Sequence, residues 1–294
     1  MVADSGIATL DSGDTFAPHI QVLTPAPATP KPLDLSWDVV VQRFPGLVDA
    51  ESVAWTGSLV VGWGNAWSDV DFYAFADRDL NLPCDDSSET WPSTDESGIR
   101  AVHWMGRYGD VCADLQVWPT DVLERILAPF TTAPEPEFCR ISDELQDFIY
   151  RMSIAAPLRN DDYFARARQL IHGSSYRRAL ARFTKAHAEI ALTDVGGQLD
   201  SGDAMSARVT GLLAAYKAAD VCLLLAGELC RKQKWLLRRI EATPECGISV
   251  DEYRTEVMGG LRPGESDADA ALRLANWAQS HLIRVENEVL SVAG

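Results

Sequence analysis

The hydrophobic period of this 294-residue chain changes once, near Pro119, and that change limits the folds open to it. Before it, short apolar runs bounded by Gly, Pro, Asp or Ser stand at Ser52–Trp55, Asp71–Ala76, Ile99–Met105 and Val111–Trp118, which is strand patterning. After it, apolar residues return at helical spacing; Leu145, Phe148, Ile149 and Met152 make one i, i+3, i+4, i+7 stripe. Further helices are expected over 161–172, 174–193, 204–230, 234–241, 249–258 and 266–291, with Ser249 and Ser266 as N-caps and Gly259-Gly260 as a stop. Strands first and helices second predict an α+β chain, a small mixed-sheet head followed by an all-helical C-terminal domain.

Three segments follow. Residues 1–34, with Pro18, Pro25, Pro27, Pro30 and Pro32 among Ala and Thr, lack a sustained apolar period and read as a disordered or extended arm. Residues 35–139 form the head, opened by a short helix over Ser36–Phe44 in which Trp37, Val40, Val41 and Phe44 share a face. Residues 140–294 form the helical domain. Within the head, Gly106 to Asp110 reads as a hairpin turn, and residues 77–98, acidic and rich in Ser and Pro, read as a long loop.

Charge narrows the partners. Residues 1–139 carry 22 acidic against 6 basic side chains, while residues 140–294 carry 21 against 20. An acidic head of this kind repels the phosphate backbone that normally supplies non-specific affinity, which argues against a nucleic-acid partner. It leaves room for a cation, or for a nucleotide brought in with its metal ion; charge alone is equally well explained by an acidic surface. No stretch is apolar enough to span a membrane, and Val209–Gly227, which carries Lys217 and Asp220, reads as a buried helix. The N-terminal stretch lacks the pattern of a secretory signal. The six cysteines have no zinc spacing and read as reduced thiols of a cytoplasmic protein.

The chemistry concentrates in WTGSLVVGWGNAWSDVDFYAF, residues 55–75. Residues i and i+2 of a strand point the same way, so Asp69 and Asp71 present two carboxylates side by side. Such a pair repels unless a cation sits between, and magnesium, held by a few carboxylates and by phosphate oxygens, suits it. On the strand Val111–Trp118, Cys112, Asp114, Gln116 and Trp118 share a face, and Asp114 is costly there unless paired or metal-bound. Asp110 lies four residues away, in the turn; Asp114, within the strand, is the preferred third acid. Gly57 allows close approach of backbone to phosphate, a helix start after it would offer free N–H groups, and Ser58 adds a hydroxyl donor.

Gly57-Ser58, nine further residues, Ser68-Asp69-Val70-Asp71, and an acid on a later strand resemble the signature of the nucleotidyltransferase superfamily of DNA polymerase beta, the CCA-adding enzymes and the aminoglycoside and lincosamide nucleotidyltransferases. The resemblance covers residues 52–118. The helical half resembles the C-terminal domain of the antibiotic-modifying members, most nearly in a long apolar helix ending in GELCRKQKWLLRRI, 227–240. The resemblance implies that Asp69, Asp71 and Asp114 ligate two magnesium ions, that Gly57, Ser58 and Ser68 serve the nucleotide, and that pyrophosphate leaves as a nucleoside monophosphate is transferred. ATP is the expected donor, a small hydroxylated molecule the expected acceptor, and the antibiotic-modifying members suggest a homodimer.

Cations for the triphosphate are expected from the helical half. Lys217 sits among apolar residues of its helix, where it must pair, snorkel or bind an anion. Lys234 belongs to a basic cluster, with Arg177, Arg178, Arg182 and Lys185 as further candidates. Asp114, Glu144 and Glu228 are candidates for a general base, whereas His103, His172, His187 and His281 read as structural. Trp63 and Trp67 flank the phosphate loop, as packing or as stacking partners. Two other readings remain open: transfer of AMP to a protein, with the acidic loop as dock, and a degenerate head serving as a binding or scaffold module.

Overall fold

The strand-like runs of the head and the helical stripes beyond it are both realised in the computed structural model, which describes residues 33–65, 67–94, 98–134 and 136–292. The arm expected over residues 1–34 lies outside the described residues, save for its last two positions. The strands are β1 (Ser52–Thr56), β2 (Val70–Phe75), β3 (Glu89–Thr94), β4 (Arg100–Tyr108), β5 (Val111–Trp118) and β6 (Ala156–Arg159). They make one mixed sheet of order β3-β4-β5-β2-β1-β6. Only β2 and β5 run parallel; the other neighbours are antiparallel.

Two strands escape the alternation pattern. Strand β3 lies inside the acidic stretch expected as a loop, and β6 comes from beyond residue 139, in residues with no expected strand. Each carries a proline, Pro92 or Pro157, and each is an edge strand, where a missing N–H can face away from the ladder. The β4–β5 hairpin is tighter than expected. Strand β4 continues to Tyr108, leaving Gly109-Asp110 as the connection, with Gly109 at φ 61°.

The helices are α1 (Trp37–Arg43), α2 (Val122–Leu127), α3 (Asp143–Ile154), α4 (Asp161–Gly173), α5 (Tyr176–Asp200), α6 (Ala204–Leu225), α7 (Leu236–Ala242), α8 (Val250–Tyr253, continuing as a π-turn to Met258) and α9 (Asp267–Val292). Ser249 and Ser266 cap as expected, accepting bonds from the backbone N–H of Glu252 and Asp269. Helix α6 stops earlier than its apolar run, at Leu225, where Gly227 takes φ 105°. Among the described residues no helix is long and apolar enough to cross a membrane.

One sheet face packs Val70, Phe72, Ala74, Trp104 and Leu115 against Val40, Phe44 and Leu47 of α1 and the turn after it. The other face carries Tyr73, Phe75 and Trp118, and α3 lies across it. Phe148 stacks on Tyr73 with centroids 5.4 Å apart and meets Trp118 at 4.7 Å. This second core continues without a break into Phe164 of α4 and Leu180 of α5. A third core joins α5, α6 and α9, where Ala214, Ala215, Ala218 and Ala219 keep the helices close.

Candidate active site

The register of the two parallel strands builds the site. Asp71 of β2 pairs with Asp114 of β5, and on the other side Asp71 pairs with Thr56 of β1. The two carboxylates are therefore neighbours on the face that α3 covers in part. Asp71 is buried, Asp114 is half-buried, and Asp69, one residue before the strand begins, is exposed. Asp69 stands close enough to act electrostatically on both of the others.

Burial dominates the acid–base behaviour of the pair. It pushes the Asp71 carboxyl up to about 6; the Arg151 guanidinium pulls it back down, while Asp69 and Asp114 add to the rise. Burial also raises Asp114, opposed by a hydrogen bond from Gln116 Nε2 to Asp114 Oδ2 of 3.2 Å and by the charges of Arg151 and His103. The expected repulsion between clustered acids is thus present, and Arg151 answers part of it.

Arg151 of α3 was not singled out by the sequence patterns. Its Nη1 lies 2.6 Å from Asp71 Oδ1, and its Nε donates to Asp147 Oδ2 at 2.8 Å. Asp147 Oδ2 also takes Lys232 Nζ at 3.0 Å. The Arg151 carbonyl accepts the Thr56 hydroxyl at 2.8 Å, which fixes the end of α3 over β1. At its other end α3 sets Glu144 Oε1 3.7 Å from His103 Nε2. The Asp147–Arg151 pair at i, i+4 was the available sequence signal. It did not distinguish an ordinary helix-face pair from one aimed at the sheet.

At Gly57 the close neighbour in the structure is a carboxylate. The glycine takes φ 80°, and a Cβ built on it would lie 1.9 Å from Asp71 Oδ2, so the backbone runs directly against the carboxylate. No helix begins after it among the described residues; positions 58–62 are turns, closed by Trp63 N and Gly64 N donating to the Ser58 carbonyl at 2.8 and 3.0 Å. Ser68 Oγ accepts from Asn65 N at 2.9 Å and so ties the loop to itself.

The basic candidates separate. Lys234 lies over the Trp235 ring at 5.2 Å, Trp235 packs on Trp63 at 6.2 Å, and Arg238 donates to the Trp63 carbonyl at 2.7 Å. This group therefore adjoins the Gly57–Asp69 loop. Lys217 is half-buried on α6, and its charged neighbours are Arg231, Asp220 and Asp143 rather than the carboxylate row. Lys185 pairs with Glu189 and Glu286, and Arg182 donates to the carbonyls of Glu137 and Pro136. Glu228 is engaged by Arg239 Nε at 2.5 Å and by Cys230 N at 2.6 Å.

The donor set is oxygen-only and suits a hard divalent cation. Among the described residues no three Asp, Glu, His or Cys side chains are grouped so that together they could hold a metal ion, so Asp69, Asp71 and Asp114 do not meet as the expected three-ligand group. Magnesium does not require such a group: one or two carboxylates completed by phosphate oxygens and water suffice. The raised Asp71 and Asp114 are the groups that such an ion would stabilise in the ionised form. Residues and group fit, with Arg151 as a competitor for Asp71.

No protein-family model matches the chain, and no curated protein matches it. Among solved structures it is similar to a nucleotidyltransferase-like protein from Exiguobacterium sibiricum, at 11% identity and a TM-score of 0.45, over 80% of this chain and 69% of that one. So loose a likeness assigns no activity to this chain.

Proposed function

We propose that this chain is a magnesium-dependent nucleotidyltransferase that moves a nucleoside monophosphate, AMP from ATP, onto a hydroxyl of a small molecule and releases pyrophosphate. The observation that carries this reading is the register of Asp71 with Asp114 on adjacent parallel strands, with Asp69 acting on both. In this reading Asp69, Asp71 and Asp114 hold the metal ions, which would neutralise charge on the attacking and leaving oxygens.

The chain's own residues supply the rest. The Gly57 backbone fixes the Asp71 carboxylate, and Ser58, Ser68 and Lys234 border the nucleotide. The acceptor lies along the open part of the sheet, beside Asp114. Register puts His103 next to Gln116 and Met105 next to Asp114 there, and the Trp91 and His103 rings stack with centroids 5.5 Å apart. Met105 is 52% exposed and Trp91 37%, which gives a ring-bearing acceptor a surface to rest on. Glu144, beside His103, can take the proton of the attacking hydroxyl directly or through that imidazole.

A second reading has its own support. Arg151 on Asp71 is what a head that had exchanged its metal for a resident cation would contain. Pyrophosphate release with magnesium, each of the four NTPs and a panel of hydroxylated small molecules separates the two. Acceptor-dependent release that vanishes in the Asp69→Asn, Asp71→Asn double variant supports the transferase. Absence of metal-dependent nucleotide binding would sink it in favour of the scaffold, and labelled protein bands from ATP in a lysate would redirect it to a protein acceptor.

A further inference from the structure

We infer that Arg151 is a built-in counter-ion that bars Asp71 from free divalent cations and yields it only to a cation delivered with a nucleotide. The inference rests on the metal-dependent reading above. It starts from the two contacts that Arg151 makes, one within its own helix and one to the sheet. Toward Asp147 the contact is a directional hydrogen bond from Nε of 2.8 Å. Toward Asp71 the contact crosses from helix to sheet, an ion pair in which Nη1 comes to 2.6 Å from Oδ1. The guanidinium is thus held by Asp147 from its own helix and by Asp71 from the sheet. It can leave the second partner while keeping the first.

The surroundings make that exchange conditional. Asp71, Asp114 and Asp69 bring three negative charges to one patch, and Arg151 is the cation placed among them. A bare divalent ion approaching Asp71 meets this guanidinium a few ångströms away in a poorly screened site, where like charges repel strongly. A nucleotide changes the balance. Its phosphate oxygens offer Arg151 a new planar, bidentate partner while the accompanying ion takes Asp71. Lys232 completes the arrangement: through Asp147 it ties Arg151 to the segment before α7, which carries Lys234 and Trp235 against the Gly57–Asp69 loop. Metal loading, nucleotide arrival and the basic segment then move together.

The test reads metal binding directly, by electron paramagnetic resonance of Mn²⁺ on the full chain, with and without a non-hydrolysable ATP analogue. Without nucleotide, Arg151→Gln should bind Mn²⁺ at least about tenfold more tightly than wild type, and Arg151→Lys should stay near wild type. With the analogue present, wild type and Arg151→Gln should converge. A merely structural arginine predicts the opposite sign, weaker binding on its loss. Equal or weaker Mn²⁺ binding by folded Arg151→Gln overturns the inference. Should that variant not fold, Asp147→Asn removes the anchor, leaves Arg151 wholly to Asp71 and should weaken Mn²⁺ binding with the analogue; unchanged binding overturns the inference. Wild type that binds no Mn²⁺ even with the analogue sinks the transferase reading itself, a separate outcome.

Discussion

Gly57 and Asp71 stand so close that a methyl group has no room between them: a Cβ on Gly57 would fall 1.9 Å from Asp71 Oδ2. Gly57 also takes φ 80°, where other L-residues are strained. Gly57→Ala should therefore cost about 1–3 kcal/mol in urea unfolding and displace the carboxylate, lowering metal affinity as well. Loss of stability with unchanged metal binding would show that the contact serves folding alone.

The pH dependence of stability should carry the signature of Asp71. Its folded pKa of about 6 lies above the ordinary 3.8, so between these values the folded chain holds a proton that the unfolded chain has lost. The contribution of the protonated carboxyl is full below about pH 4 and disappears as pH rises through about 6, by about 3 kcal/mol at most. In Asp71→Asn that fall should vanish. Unfolding free energies of the two proteins between pH 4 and 7.5 check the sign; a wild type gaining stability relative to the variant across that window would contradict it. Protons and metal compete for the same oxygens, so metal affinity should drop below about pH 6.

Arg239 is fully buried and held by Asp220 at 2.6 Å and Glu228 at 2.5 Å. Arg239→Ala should destabilise by about 3–5 kcal/mol, because two carboxylates lose their shared cation. Denaturant titration measures it. Glu228, a general-base candidate in sequence, is given structural work by this ion pair, so pH–rate profiles should not move with Glu228→Gln once stability is matched.

Lys234 and Lys217 should part company in steady-state kinetics. Lys234→Ala removes a charge beside the Gly57–Asp69 loop and should raise the KM for nucleotide several-fold with kcat little changed. Lys217→Ala should leave both near wild type. The reverse result would relocate the triphosphate toward α6.

Much of the architecture was legible because burial imposes a period. Leu145, Phe148, Ile149 and Met152 are buried along α3 as their spacing predicts, and β5 spans the expected Val111–Trp118. Strands β3 and β6 were hidden by Pro92 and Pro157, which disguise edge strands as loops. For the site, spacing along β2 and alternation along β5 indicated Asp71 and Asp114. Their meeting depends on a parallel register that pairs positions 43 residues apart, set by the whole sheet. Arg151 was invisible for the same reason. Nothing in a helix sequence says which of its polar residues will be pressed against a neighbouring sheet, and the i, i+4 pair with Asp147 has an ordinary surface use.

Helix α3 crosses the sheet with Glu144 near β4, Phe148 on β5 and β2, and Arg151 at β1, while its core runs on into α4 and α5. Head and helices share this beam, so they cannot open as two jaws about a hinge without breaking a buried aromatic cluster. In the transferase reading, entry and exit of ligands would fall to the short spans at its margin, around Trp63 and around Trp235. Turnover in such a molecule would be paced by the parting of Trp63 from Trp235, a motion of two side chains and a few turns rather than of whole domains.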